Sequence, residues 1–84
     1  MDKYFVYVLK SVSSGKHYTG QTMDVQRRII EHNEGTLGKF TKNKGPWNLI
    51  FSKEFDSRAE AMRYEKYLKS GVGRDFLKNN VTDY

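Results

Sequence analysis

YFVYVLKSVSSGKHYTG, residues 4–20, contains two short strand patterns separated by a turn. Residues 4–10 are apolar or aromatic at almost every position, which is typical of a central strand that is covered on both faces. A turn rich in serine and glycine follows, and residues 16–20 predict a second strand. We expect an antiparallel hairpin in which Tyr7 and Tyr18 lie within a residue or two of opposite each other, so that both phenols line one pocket.

Residues 23–34 predict the first helix, because apolar residues recur there at helical spacing. The signals at its ends are Thr22 as N-cap, Asp24 at the positive end of the helix dipole and Gly35 as the C-terminal stop. Arg28 and His32 lie one turn apart, on the stripe that also carries two aliphatic side chains. That stripe should face the sheet, so these two polar side chains need a function or a partner there.

The second half of the chain predicts one more strand and two more helices. Residues 47–55 (WNLIFSKEF) have a strand pattern. The sequence SRAE at residues 57–60 matches a capping box, which makes Ser57 the N-cap of a second helix that ends before Gly71. A short third helix is expected around residues 74–78. The predicted fold class is α/β, with a small three-stranded antiparallel sheet flanked by helices.

Composition and charge limit the classes of function and partner that the protein can have. The 84 residues fit a single domain, residues 1–84, and lysine and arginine outnumber aspartate and glutamate by 15 to 10, for a net charge of +5. Such a balance favours nucleic acid as a partner, although many small basic proteins are merely soluble. There is no cysteine for a disulfide or thiolate site, no apolar run long enough for a membrane span and no signal-peptide pattern, so we expect a cytoplasmic protein.

The order and spacing of five elements resemble the GIY-YIG nuclease family. The tripeptides FVY at residues 5–7 and YTG at residues 18–20, ten residues apart, resemble the paired GIY and YIG motifs. Residues 24–32 (DVQRRIIEH) resemble the helix in which an arginine precedes a histidine by four positions, and residues 61–66 (AMRYEK) resemble the helix with a metal-binding glutamate. The resemblance extends from residue 4 to about residue 78. It is closest to the single-domain bacterial branch related to the N-terminal nuclease domain of UvrC.

Two positions depart from the family pattern. Phe5 and Val6 replace the glycine and isoleucine of the first motif, which is a conservative change in a buried strand. The asparagine that many relatives carry near the end has no secure match, although Asn79 and Asn80 lie nearby, so one active-site contact is unassigned.

The resemblance implies a metal-dependent endonuclease that hydrolyses phosphodiesters, with DNA as substrate and structure-directed or weakly specific cleavage. The catalytic residues it implies are Tyr7, Tyr18, Arg28, His32 and Glu65. One phenol would be the general base and the other would position water or phosphate. Arg28 suits the non-bridging oxygens, and His32 can reach the same phosphate or relay a proton. Glu65 would hold a single Mg²⁺ or Mn²⁺ ion.

Each of these residue types also has a structural interpretation. Strand tyrosines often only pack, and Glu65 could instead be a core carboxylate paired with Arg28 or Lys69. The loop between the first helix and the third strand is basic and contains Lys39, Thr41, Lys42 and Lys44. This loop and Arg27, on the helix, are expected to contact nucleic-acid phosphates. Alternatively, the loop is simply solvated. The rival functions are a catalytically idle nucleic-acid-binding module of the same fold and a basic scaffold for a protein partner.

Overall fold

The structure is a computed structural model that describes residues 2–34 and 46–84. Its elements are β1 (Tyr4–Ser11), β2 (His17–Thr22), α1 (Val25–Glu34), β3 (Trp47–Phe55), α2 (Arg58–Lys69) and α3 (Gly71–Asn80). The predicted α/β fold with a three-stranded antiparallel sheet and flanking helices is confirmed. Gly35, the predicted stop of the first helix, lies outside the described residues.

The hairpin register brings the two motif tyrosines together. The sheet order is β2-β1-β3, so β1 is the central strand, as its continuous apolar pattern predicts. Tyr7 lies opposite Gly20, and Leu9 lies opposite Tyr18. Because side chains two residues apart share a sheet face, Tyr7 and Tyr18 project from the same face, on neighbouring strands.

Each face of the sheet has its own core cluster. Val6 and Val8 pack with Ala61, Leu68 and Leu77, which come from α2 and α3. On the opposite face, the second cluster consists of Tyr7, Leu9 and Trp47, with Tyr18 and Ile29 packed against it. The buried residues of the first cluster are aliphatic, with aromatic side chains packed around them, whereas the second has a buried phenol, Tyr7, and lies against α1.

Side chains at both ends of α1 fix its position. The Asp24 side chain accepts a hydrogen bond from the backbone N–H of Arg27 at 3.1 Å, so Asp24 is the N-cap and the prediction of Thr22 is wrong. The Thr22 hydroxyl instead accepts from the Asp24 backbone N–H. At the other end, the Asn33 side-chain oxygen accepts from the backbone N–H of Trp47 at 2.6 Å, and its amide donates to the carbonyl of the same residue.

The junction between α2 and α3 is tighter than the sequence predicts. Ser57 caps α2, as predicted. The helix ends before Gly71, as predicted, and α3 begins at that glycine. Ser70 both ends α2 and caps α3 by accepting from the backbone N–H of Gly73. A Cβ atom at Gly73 would lie 1.9 Å from the carbonyl oxygen of Tyr67, so only glycine allows this approach.

None of the helices in residues 2–34 and 46–84 combines the length and the apolar character that crossing a bilayer would need.

Candidate active site

Tyr7 and His32 form a buried polar pair between β1 and α1. The Tyr7 hydroxyl lies 3.0 Å from Nε2 of His32, which is a hydrogen-bonding distance. Their exposed fractions are only 2% and 1%. The other imidazole nitrogen, Nδ1, is also buried and has no hydrogen-bond partner among the described residues. A buried imidazole that makes one hydrogen bond, to a phenol, is expensive for stability, which favours a functional origin.

Tyr18 lies beside this pair and is more accessible. Its ring centroid is 4.6 Å from that of His32 and 6.3 Å from that of Tyr7. Tyr18 is half-buried, whereas the other two residues are buried. The three rings therefore form one aromatic cluster, of which Tyr18 is the most accessible member.

Burial controls the protonation of the pair. It raises the pKa of the Tyr7 phenol far above its usual value, and the neighbouring Tyr18 adds to this rise. The positive charge of Arg28 opposes the rise, whereas the carboxylate of Glu65 adds to it. Burial also lowers the pKa of His32, and Arg28 lowers it further. At neutral pH the pair is therefore a neutral phenol and a neutral imidazole.

Arg28 and Glu31 supply the charges on the α1 side. Nε of Arg28 lies 3.9 Å from a carboxylate oxygen of Glu31, and Nε of Arg27 lies 3.5 Å from the other oxygen. Arg28 also lines a cleft of about 460 Å³, which we call the arginine cleft, and its side chain is 40% exposed. It is thus close enough to act on Tyr7 and accessible enough to contact a ligand.

Glu65 lies on α2 and is paired with a lysine one turn later. Its carboxylate accepts a hydrogen bond from Nζ of Lys69 at 2.6 Å, so of the two partners considered from the sequence, Lys69 is the one observed. The Glu65 side chain is 19% exposed, whereas that of Lys69 is 55% exposed. The lysine can therefore swing into solvent, while the carboxylate is close enough to Tyr7 to raise the pKa of its phenol.

Glu65 offers a single carboxylate, which suits a metal ion that keeps most of its bound water molecules. Among the described residues there is no group of three or more histidine, cysteine, aspartate or glutamate side chains that could hold a metal. Mg²⁺ is commonly held by one or two carboxylates together with waters and substrate oxygens. Glu65 already attracts a cation, the Lys69 ammonium, so the residues present fit a single ion of this kind.

The predicted nucleic-acid-binding residues fall into two sets, of which only Arg27 is described by the structure. Arg27 is exposed and lines the arginine cleft rather than the phenol cluster. Lys39, Thr41, Lys42 and Lys44 lie outside the described residues. His17, which precedes Tyr18, stacks on Tyr84 with ring centroids 3.9 Å apart, so its partner is the C-terminal segment.

Sequence reasoning missed three residues that shape the site. Glu31 was available as a signal, because it follows the arginine pair by three and four positions, a spacing that favours ion pairs on a helix. Gly20 packs against the phenols and was noted only as part of a motif. Asn33, which links α1 to β3, gave no signal, since its partner is a backbone group on a distant strand.

Gly20 provides the space for the two phenols. A Cβ atom there would lie 2.8 Å from Oη of Tyr7 and 3.0 Å from a ring carbon of Tyr18. We expect Gly20→Ala to displace a phenol and to destabilise the protein by about 1–3 kcal/mol, since Tyr7 is buried and cannot easily move. Thermal unfolding measures this effect. Gly71→Ala is the matched control, because a Cβ there meets nothing within 4 Å, and equal melting temperatures for both variants would contradict the prediction.

Comparison with known proteins agrees with this geometry. Residues 3–79 match the model of the GIY-YIG catalytic domain. The chain belongs to the GIY-YIG family. This is a family of nucleases, and the part of the chain that matches includes all five residues discussed above.

The chain is also similar, along most of its length, to UPF0213 proteins and to a solved UPF0213 structure. A UPF0213 protein of Staphylococcus saprophyticus is 39% identical over 78 residues, which cover 93% of this chain and 94% of the relative. A UPF0213 protein of Halobacterium salinarum is 47% identical over 66 residues, 79% of this chain and 84% of the relative. The solution NMR structure of a UPF0213 protein from Bacillus halodurans is 38% identical, with a TM-score of 0.55, and covers 92% of this chain and 83% of that one.

Proposed function

We propose that this GIY-YIG protein is a metal-dependent endonuclease that hydrolyses phosphodiester bonds in DNA, with residues 1–84 acting as a single nuclease domain. The observation that carries the proposal is the cluster of Tyr7, Tyr18 and His32, on whose central phenol the charges of Arg28 and Glu65 both act. Packing alone would not require a buried imidazole, a guanidinium and a carboxylate around two phenols.

Accessibility separates the roles of the two tyrosines. A general base must come within hydrogen-bonding distance of the water it deprotonates. Tyr7 is 2% exposed and already engages His32, whereas Tyr18 is only half-buried. We therefore assign the general base to Tyr18. With its proton on Nδ1, His32 accepts a hydrogen bond from the Tyr7 hydroxyl, and this pair holds the ring of Tyr18 in position.

The burial of His32 favours one of its two expected roles. A side chain that is 1% exposed does not reach a phosphate in a cleft, so direct phosphate contact is disfavoured. A neutral imidazole at hydrogen-bonding distance from a phenol can instead accept or return a proton. His32 is therefore assigned to positioning and proton exchange with Tyr7.

Arg28 and Glu65 would stabilise the charge that develops on the phosphate. The guanidinium of Arg28 is permanently charged and offers a planar donor fork for two non-bridging oxygens. Glu65 would hold one Mg²⁺ or Mn²⁺ ion, which when bound supplies positive charge to the phosphoryl group and the leaving oxygen. The ammonium of Lys69 must leave the carboxylate when the metal binds, and its exposure allows this.

A cleavage assay tests the proposed activity. The purified protein is incubated with labelled DNA single strands, flaps, forks and duplexes, and with a matched RNA strand, in Mg²⁺ or in Mn²⁺. We expect cleavage of DNA that stops when EDTA removes the metal. An Arg28→Ala variant, purified in parallel, should be strongly impaired, and this rules out a contaminating nuclease.

The same assay distinguishes the rival function. Binding to DNA without cleavage in either metal would contradict the endonuclease and favour a nucleic-acid-binding module that has lost its chemistry. Equal cleavage by the wild-type protein and Arg28→Ala would contradict the active-site assignment, because the product would then come from elsewhere.

A further inference from the structure

Most residues that line the arginine cleft have no role in the chemistry proposed above. Its volume of about 460 Å³ is within the range of ligand pockets, and Arg28 is the one lining residue that the mechanism uses. Four elements have an end beside it: β1 begins at Tyr4, β2 ends at Thr22, α1 follows its N-cap Asp24, and α2 begins at Arg58. Side chains from distant parts of the chain therefore meet there, at one end of the sheet.

The arginine cleft adjoins the aromatic cluster at two points. Arg28 lines the cleft, and its charge also acts on the buried phenol of Tyr7. Along β2, Thr22 lines the cleft and lies two residues beyond Gly20, which packs against both phenols. Two residues of a strand span about 7 Å, which is about two nucleotides of rise along one DNA strand. A strand whose scissile phosphate contacts Arg28 therefore brings a neighbouring phosphate to the cleft.

The two carboxylates of the arginine cleft already have partners. Asp24 accepts a hydrogen bond from the backbone N–H of Arg27, at the positive end of the α1 dipole. Glu31 lies within ion-pair distance of both Arg27 and Arg28, and in each case the arginine atom is Nε. These contacts leave the terminal Nη groups of the two arginines for a ligand.

Arg58 is the surplus cation of the arginine cleft. Its side chain is exposed, and within residues 2–34 and 46–84 no carboxylate lies at ion-pair distance from it. The guanidinium carbon lies 5.3 Å from the centroid of the Tyr4 ring, a cation–π contact that holds the planar group at the wall of the cleft. A guanidinium that is held by a ring but has no counter-charge is suited to a phosphate.

The charge balance of the arginine cleft favours a phosphodiester over a terminal phosphate. Three arginines and two carboxylates line the cleft, which leaves one positive charge. An internucleotide phosphate carries one negative charge and matches this surplus. A terminal phosphate monoester carries about 1.5–2 negative charges at neutral pH, which is more than the cleft balances.

We propose that the arginine cleft binds a second phosphodiester of the substrate strand, one or two nucleotides from the scissile phosphate, and that Arg27 and Arg58 hold it. This proposal rests on the proposed function, since it names the part of the substrate that lies beside Arg28. A second bound phosphate fixes the strand along the end of the sheet, so that the scissile phosphate meets Arg28 in one register. Contacts of this kind carry no sequence preference.

Binding without metal tests Arg58 independently of cleavage. Fluorescence anisotropy in EDTA uses a labelled DNA hairpin with a single-stranded tail and hydroxyl ends. We expect Arg58→Ala to weaken binding about tenfold and to flatten the slope of log affinity against log salt by about 0.7–0.9, the value for one lost phosphate contact. The matched control is Arg63→Ala, which removes the same charge from an exposed position of α2 outside the cleft. No loss in Arg58→Ala, or an equal loss in Arg63→Ala, would overturn the proposal.

Uncharged linkages locate the bound phosphate. A single methylphosphonate is placed in turn at each linkage of the same hairpin, and the products formed in Mg²⁺ or Mn²⁺ are mapped. We expect the wild-type protein to lose about tenfold in cleavage when the uncharged linkage lies one or two nucleotides to one side of the cut. Arg58→Ala already lacks this contact, so the same linkage should change its cleavage by less than about twofold. An equal loss in both proteins would overturn the proposal.

A terminal phosphate distinguishes the two sources of phosphate. Adding a 5′ phosphate to the hairpin should change the affinities of the wild-type protein and of Arg58→Ala by the same factor, because the cleft holds an internucleotide phosphate. A gain in affinity that only the wild-type protein shows would mean that the cleft takes the end of the strand, and it would overturn the proposal.

Failure of this proposal and failure of the proposed function give different results. If Arg58→Ala weakens binding in EDTA and Arg63→Ala does not, but no DNA is cleaved in Mg²⁺ or Mn²⁺, the phosphate site is supported and the endonuclease is contradicted. If DNA is cleaved but Arg58→Ala binds like the wild-type protein, the endonuclease stands and the phosphate site is overturned.

Discussion

Glu65→Gln is expected to lower cleavage by about a hundredfold or more, because a bound metal ion supplies several kcal/mol of transition-state stabilisation. Glutamine keeps the shape of the side chain but loses the charge that holds the cation. The lost partner, Lys69, is 55% exposed and becomes hydrated, so the pair contributes only about 0.3–0.5 kcal/mol to stability. The melting temperature should therefore change by no more than about 4 °C.

A structural role for Glu65 would give the opposite pattern. If the carboxylate were needed to neutralise a buried cation, its loss would destabilise the fold by roughly 3–5 kcal/mol. Cleavage and stability would then fall together. Full metal-dependent cleavage by Glu65→Gln would end the metal assignment. Glu54→Gln is the matched control, because it makes the same chemical change on β3, at the surface, away from the phenols.

The affinity for Mn²⁺ can be measured directly, and it tests the roles of Glu65 and Lys69 independently of cleavage. Titration with Mn²⁺ can be followed by paramagnetic broadening of the tyrosine ring signals in NMR spectra. We expect Glu65→Gln to abolish specific broadening and Lys69→Met to shift it to lower Mn²⁺ concentration, since the competing ammonium has been removed. If Lys69→Met also abolishes broadening, the lysine, rather than competing, is needed for the site.

Local sequence signals predicted the elements well where a single signal was present. The third strand, predicted at residues 47–55, has the observed bounds Trp47–Phe55, and Ser57 caps the helix that its capping box predicts. Where two signals competed, the prediction failed. Thr22 and Asp24 are both suitable N-caps, and the choice depends on backbone hydrogen bonds that the sequence does not specify.

Long-range packing explains what local signals could not predict. The second helix ends before Gly71, as predicted, but the sequence did not show that α3 starts at once: the chain turns at Ser70, in extended conformation, and Gly73 allows α3 to approach α2 closely. Met62, an apolar side chain on α2, is 53% exposed. The sheet covers only a narrow stripe of α2, and the sequence does not show the width of that stripe.

The residues of the proposed site were chosen from sequence, but their environments could not be predicted. Spacing and family resemblance gave both tyrosines, the arginine, the histidine and the glutamate. They did not predict that Tyr7 and His32 would be almost fully buried and Tyr18 only partly so. Burial depends on the elements packed around each side chain, and it is burial that separates the roles of the two phenols.

Tyr18→Phe is expected to lower cleavage by about 10²–10⁴-fold, the usual contribution of a general base. Phenylalanine retains the ring that packs beside His32 and removes the hydroxyl. Because Tyr18 is only half-buried and its ring is retained, the melting temperature should stay within a few degrees of that of the wild-type protein.

Tyr7→Phe, the companion variant, should mainly affect stability. It leaves Nε2 of His32 buried without the Tyr7 hydroxyl, at a cost of about 1–3 kcal/mol, or about 5–20 °C in melting temperature. Cleavage should fall less than in Tyr18→Phe, since Tyr7 acts by positioning its neighbour. Single-turnover cleavage and thermal unfolding are measured on both variants. If Tyr7→Phe loses cleavage at unchanged stability while Tyr18→Phe remains active, the assignment of the two phenols is reversed, because the buried hydroxyl would then be the one that activates water.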